Sequence, residues 1–262
     1  MGTRKTNYGH ASVLAACTLA PLAALCDDAP APPPPQGVWT GKGQAGYVSS
    51  QGNSEGKSAN AALDTSFLDG PWKHMLHLGG LYGESANIVS AERWDVQWET
   101  DYALTERLYV FGSLHYLHDM FSGFQYQATG SGGVGYKLID TDKTKLSVQA
   151  GAGYSELRPE IIIKDSAGAV TARIPQPSQN GAVGTFGLNY SQALTATTTL
   201  SDKLQVESSS ANTLTTNALA LAVKISTKLA LSVGYAIQNN SKPPEGLKKL
   251  DSVETVNLVY SF

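Results

Sequence analysis

The stretch VETVNLVYSF (Val253–Phe262) alternates to its last residue. Val256, Leu258, Tyr260 and Phe262 share one parity, while Asn257 and Ser261 fall on the other. Successive side chains of an extended chain point to opposite sides. A period of two therefore describes a strand with one apolar and one wet face. An aromatic residue at the very end, with no polar tail after it, is unusual for a strand at the edge of a water-soluble sheet.

Working outward, the same period recurs across the chain from Val38 in about twelve segments, with no convincing 3.6-residue pattern. The clearest sets Trp94, Val96, Trp98, Tyr102 and Leu104 against Arg93, Asp95, Gln97, Glu99 and Asp101. Leu229, Leu231, Val233, Tyr235 and Ile237 likewise oppose Ala230, Ser232, Gly234 and Ala236. The weakest segment is Thr198 to Glu207, because Asp202 shares the parity of Leu200, Leu204 and Val206. The connections also alternate. Those after even segments are short (Asp69-Gly70-Pro71, Leu104 to Glu106, Ser226-Thr227), and those after odd segments are longer, above all Arg158 to Ser178 and Asn239 to Leu250.

Composition narrows the class. Charged residues are 16% of the chain, against roughly 25% in ordinary globular domains. Outside the N-terminal segment no apolar run reaches the roughly 18 residues a membrane helix needs. The net charge of −3 argues against nucleic acid as a partner. Arg4 and Lys5, the apolar stretch Ala11 to Leu25 and the polar Asp27-Asp28 have the order of a secretory signal peptide, with Ala24-Leu25-Cys26 a small-x-small cleavage site. Leu14-Ala15-Ala16-Cys17 also matches a lipoprotein cleavage box, although the apolar stretch continues beyond it. The expected layout is a leader over 1–26, a Pro-rich periplasmic tether over 27–36 and a folded unit over 37–262. Cys17 and Cys26 then leave with the leader, which removes structural disulfides and thiol chemistry from the mature chain.

A chain poor in charge yet alternating suits strands whose apolar parity faces lipid. In hydrocarbon each unpaired backbone group costs several kcal/mol, so a β span must close on itself. Segments of about 12 residues cross a roughly 25 Å apolar band at a tilt. Trp39, Tyr47, Trp72, Tyr82, Trp94, Tyr102, Tyr116, Tyr136 and Tyr260 gather near the ends of the apolar faces, as an interfacial girdle would. The expectation is an all-β fold: a single closed antiparallel transmembrane β-barrel of about 12 strands, in the cell outer membrane. Its partners would be outer-membrane lipid and the assembly machinery, which reads Val256, Leu258, Tyr260 and Phe262.

Several stretches carry a family resemblance. They are Trp39-Thr40-Gly41 with Gly46-Tyr47, Gly52-Asn53-Ser54, LTERL (Leu104–Leu108) into Tyr109-Val110-Phe111, and His118-Asp119 before Phe121-Ser122-Gly123. GYKLIDT (Gly135–Thr141), Gly151-Ala152-Gly153-Tyr154 and LVYSF (Leu258–Phe262) complete the set. In this order they resemble the family of salt-induced outer-membrane proteins, a group known mainly as a domain of unknown function. One departure is Ser54, where Thr is expected. The resemblance implies an outer-membrane location and a loose link to salt or osmotic stress, and it supplies no catalytic residues.

Two constellations are candidates for function. Lys42, Asp64, Lys73, Arg93, Asp95, Glu99, Asp101, Lys137, Lys145, Lys203, Glu207 and Lys224 lie on inward parities. They either tune a polar channel or pair with one another and plug a narrow lumen. At the outer rim, Tyr82, Glu84, His118, Asp119, Tyr154 and Glu156 end odd strands, and His beside carboxylates is what general-base hydrolysis needs. Adjacent residues such as His118 and Asp119 point to opposite faces, however, and no Ser occupies a G-x-S-x-G position. No histidine spacing fits a metal site, and no cofactor is expected. GSGGVG (Gly130–Gly135) lacks a following helix to bind phosphate and reads as a bend in a strand. The leading reading is a non-enzymatic envelope protein, a small pore or stress-related structural component. Alternatives are a rim hydrolase and a surface receptor or adhesin using 158–178.

Overall fold

The computed structural model describes residues 37–50 and 56–262; the expected leader (1–26) and tether (27–36) lie outside the described residues. The strands are β1 (Val38–Ser50), β2 (Gly56–Asp69), β3 (Trp72–Ser85), β4 (Ile88–Ala103), β5 (Leu108–Asp119), β6 (Phe124–Asp140) and β7 (Thr144–Lys164). They continue as β8 (Val170–Pro175), β9 (Gln179–Ala193), β10 (Thr198–Ser209), β11 (Thr213–Lys224), β12 (Leu229–Asn240) and β13 (Leu250–Ser261). Twelve of them, all but β8, form one closed antiparallel ring, each paired with its neighbours in the chain and β1 paired with β13. These twelve coincide with the alternating segments of the sequence. The region 158–178 differs from its expected form. β7 runs on past the barrel to Lys164, and β8 pairs back onto Glu160–Lys164, so this outer loop is a protruding hairpin.

The connections 70–71, 104–107, 141–143, 194–197 and 225–228 and both ends of the ring occupy one rim, here the turn end. The other, the loop end, has the two longest connections, β7 to β9 and β12 to β13, beside short ones at 86–87 and 210–212 that depart from the expected alternation of lengths. At the turn end one device recurs. The hydroxyls of Thr105, Thr141, Thr195 and Ser226 each accept from the backbone N–H three residues on, at 2.9, 3.0, 2.9 and 3.1 Å. Hydroxyl side chains that bond nearby backbone hold such turns without a glycine. At the loop end, Ala86 and Asn87 form a two-residue hairpin turn with φ of 49° and 59°.

Alternation sorts the two faces. Outward lie Trp98, Leu114, Val134, Phe186, Leu221, Val233 and Leu258, all exposed although large and apolar. Aromatic rings ring both edges of this band. Trp39 packs on Phe67 at 4.7 Å and Trp72 on Tyr102 at 4.8 Å toward the turn end, and Trp94 packs on Tyr116 at 5.2 Å toward the loop end. Asp202 breaks the band. It sits on the outer parity of β10 and accepts from Asn217 of β11 at 2.6 Å.

Candidate functional site: a charged vestibule beneath a stopper

The lumen is organised by one rung of the sheet. Backbone pairing places Lys42, Asp64, His77, Gln97, His115 and Thr129 side by side on β1 to β6, all pointing inward. Facing cross-strand neighbours stand about 5 Å apart, close enough for direct contact. Lys42 Nζ lies 3.5 Å from Asp64 Oδ2, and His77 Nδ1 lies 2.7 Å from Asp64 Oδ1. His77 Nε2 also reaches Asp95 Oδ2 at 3.3 Å. Two groups from the far wall join the same rung. Lys203 of β10 donates to Gln97 Oε1 at 3.1 Å, and Glu207 meets His115 Nδ1 at 2.6 Å while accepting from Thr129 Oγ1 at 2.5 Å.

Below this rung, toward the turn end, the lumen opens into a cavity of about 550 Å³. Lys73, Glu99, Asp101, Tyr109, Gln149 and Gln205 are among its lining residues. Glu99 accepts from Gln149 Nε2 at 3.2 Å, and the Tyr109 hydroxyl donates to Gln149 Oε1 at 3.3 Å. Tyr109 fits because the wall beside it is bare: a Cβ on Gly135 would strike its ring, and one on Gly151 would come within 2.9 Å of Phe111. Gly135 of the GSGGVG stretch and Gly151 of β7 therefore make room for inward aromatic rings.

Above the rung the lumen is filled, and the cavity left between Gln127, Leu157, Val183, Asn212 and Leu214 is only about 20 Å³. Leu117 (4% exposed), Phe124 (2%), Leu157 (4%), Val183 (3%) and Leu214 (4%) point inward and form an apolar layer. An amide cluster completes it. Asn212 donates to Gln127 Oε1 at 3.1 Å and to Asn240 Oδ1 at 2.7 Å, and Arg93 is tied through Gln238 to Asp119 at 3.0 and 3.2 Å. Loops cover the layer. Gly123, at φ +79°, lies where any side chain would meet Pro244 and Leu247 of the β12–β13 connection. Arg173 of β8 pairs with Glu160 at 2.7 Å, donates to the Met120 carbonyl and sits 5.5 Å above the Phe121 ring.

The charged residues read from the sequence are distributed along this axis. Lys42, Asp64, Lys73, Glu99, Asp101 and Lys203 line the vestibule. Asp95 and Glu207 belong to the rung network, and Arg93 to the stopper. Lys137 and Lys145 flank Asp140 at the turn end, at 3.4 and 3.9 Å, and Lys224 is exposed at the last position of β11. The rim candidates separate instead of converging. Asp119 turns inward, where its carboxylate caps the N–H groups of Phe121 and Ser122 and holds Gln238. Tyr82 and Glu84 face outward, bonded at 3.3 Å, with Lys57 3.6 Å from Glu84. His118 bonds the Gln125 carbonyl at 2.6 Å beside the Trp94 ring, and Glu156 accepts from Tyr126 at 2.7 Å. Tyr154 is exposed midway along β7, not at its end.

Residues not singled out from the sequence carry much of this site: His77, His115, Gln97, Gln149, Asn212 and Asn240, with the inward Leu117, Leu157 and Leu214. Their signal was present. Leucines on the wet parity near the loop end of strands mark a lumen that is filled there.

Known proteins resemble this chain to different degrees. Among solved structures, the NanC porin is 13% identical, with 86% of this chain and 99% of that one covered at a TM-score of 0.45. The translocator domain of autotransporter NalP from Neisseria meningitidis is 15% identical, covering 87% and 88%, at 0.43. Uncharacterized protein YdiY of Escherichia coli (strain K12) is 24% identical over 230 residues, 86% of this chain and 83% of that protein. A family profile matches residues 43–262, and the chain belongs to that family, described as Protein of unknown function, DUF481.

Proposed function

We propose that this is a non-enzymatic barrel of the outer membrane whose lumen is a blind vestibule, open to the periplasm and stoppered toward the outside. The membrane placement rests on the exposed apolar band and on ring strands of 12 to 21 residues, long enough to span about 25 Å of hydrocarbon when tilted. The rim without long connections belongs on the periplasmic side of such barrels, and the vestibule mouth lies at that rim. The carrying observation is the stopper: five inward apolar side chains, each at most 4% exposed, under loops that pack on one another. A non-enzymatic role is supported by the divergence of the rim side chains. The link to salt or osmotic stress belongs to this reading too, since a sealed barrel adds no leak when external salt changes; expression across a salt series tests it.

Planar-bilayer recording of the refolded chain is the decisive measurement. Wild type should be silent, and Leu117→Gly combined with Leu157→Gly should produce stable steps. Sustained wild-type conductance would end the stopper reading and favour an open pore. A receptor role keeps one supporting observation: Ile161, Ile163 and Ile174 stand exposed on the protruding hairpin. Changing all three to Ser should abolish any cell-surface contact that the intact hairpin mediates.

A further inference from the structure

The vestibule contains charges that no contact ion pair joins among the described residues. Asp64 is matched by Lys42 and His77, and Asp95 by His77. Asp101 has no such contact: its Oδ1 is buried without a hydrogen-bond partner among the described residues, and Lys73 and Lys137 act on it through space alone. Lys73 faces it directly across β3 and β4, yet among the described residues no ion pair joins the two. Lys203 reaches across the lumen to an amide oxygen and, among the described residues, contacts no carboxylate. One cavity thus holds an unsatisfied carboxylate on one wall and an ammonium spanning its ceiling.

An enclosed charge without a partner is costly, and a complementary charge there gains more than it would in open water. A bare metal ion is a poor occupant, because among the described residues no three His, Cys, Asp or Glu side chains gather to hold one. At about 550 Å³ the cavity also exceeds an ion and falls within the range of small-molecule sites. The neutral lining adds donors and acceptors, from Gln149, Gln205, Ser66 and the Tyr109 hydroxyl.

We propose that the vestibule binds a small zwitterion of the amino-carboxylate class. The ammonium of the ligand donates to Asp101 and its neighbour Glu99, and its carboxylate accepts from Lys203. This rests on the blind-vestibule reading, since a through-pore would let the solute pass and not hold it.

Titration calorimetry on the full chain refolded in lipid nanodiscs tests the idea, with glycine, γ-aminobutyrate and ε-aminocaproate as probes. Butyrate and butylamine serve as single-charge controls at matched ionic strength. At least one zwitterion should bind saturably, and both controls about tenfold more weakly or worse. Asp101→Asn and Lys203→Met should each weaken that zwitterion by about tenfold, with unchanged heat-modifiable gel mobility showing that both barrels are folded. No saturable heat with any zwitterion at about 10 mM would overturn the proposal. So would equal affinity in folded forms of both variants. Neither result touches the stopper, which bilayer recording judges separately.

Discussion

Asn60 of β2 donates to Asn257 of β13 at 2.8 Å, clasping over the bare backbone of Gly46 on the strand between them. The clasp sits just above the point where the β1–β13 ladder, Lys42–Ala45 against Leu258–Ser261, ends. A Cβ at Gly46 would come within 2.5 Å of the Val256 carbonyl and 2.7 Å of Asn60 Oδ1. Gly46→Val should therefore lose the clasp and destabilise the seam by about 1–3 kcal/mol, the usual cost of overpacking. Gly43→Val, three residues away with nothing within 4 Å, is the control. Urea unfolding in lipid vesicles, followed by heat-modifiable mobility, reads both, and equal midpoints would remove the clasp from the account.

His115 and Glu207 tie opposite walls through side chains only 12% and 13% exposed. Glu207→Ala strands both His115 and Thr129, so the expected cost is about 3 kcal/mol. Adding His115→Ala should cost less than the sum of the singles, because the second change removes a group already orphaned. Additive losses in a double-mutant cycle would mean that the two side chains act apart.

Asp202 and Asn217 offer the opposite case, a polar pair on the face given over to Leu and Val. Charged groups toward lipid destabilise such barrels, less for Asp than for Arg or Lys. Changing both to Leu should raise stability in vesicles by about 1–2 kcal/mol. A fall in stability would show that the pair is used, for instance against a second chain.

At the β3–β4 turn, Ala86 holds φ at 49°. A left-handed conformation costs a residue with a Cβ roughly 1–2 kcal/mol, and glycine escapes it. Ala86→Gly should raise the unfolding midpoint by about 1 kcal/mol in free energy, a change read in the same urea titration.

The barrel was legible because parity is a local property. Any strand with Trp94, Val96 and Trp98 on one side and Asp95, Gln97 and Glu99 on the other declares its two faces without reference to a partner. The site was not legible in the same way. Alternation fixes register only up to even shifts, since a slip of two residues keeps every side chain on its face. That Lys42, Asp64, His77, Gln97, His115 and Thr129 share a rung depends on turn lengths and bulges, and these emerge only from the paired sheet. The 158–178 region was read as loop because its strand segments are short and interrupted by Asp165 to Gly168, a turn whose Asp165 carboxylate caps Ala167 and Ala169 at 2.9 Å each. Asp202, whose parity is odd in the sequence, is odd in space too: it sits on the outer face and bonds Asn217.

The seam closes with Phe262 exchanging two backbone hydrogen bonds with Gly41, each 3.0 Å, its ring lying where a Gly41 Cβ would fall. Chemically the junction between last and first strand is a hairpin without its turn. A permuted chain, joined across this gap and cut instead within 225–228, would meet the same ladder and present its new ends on the same rim.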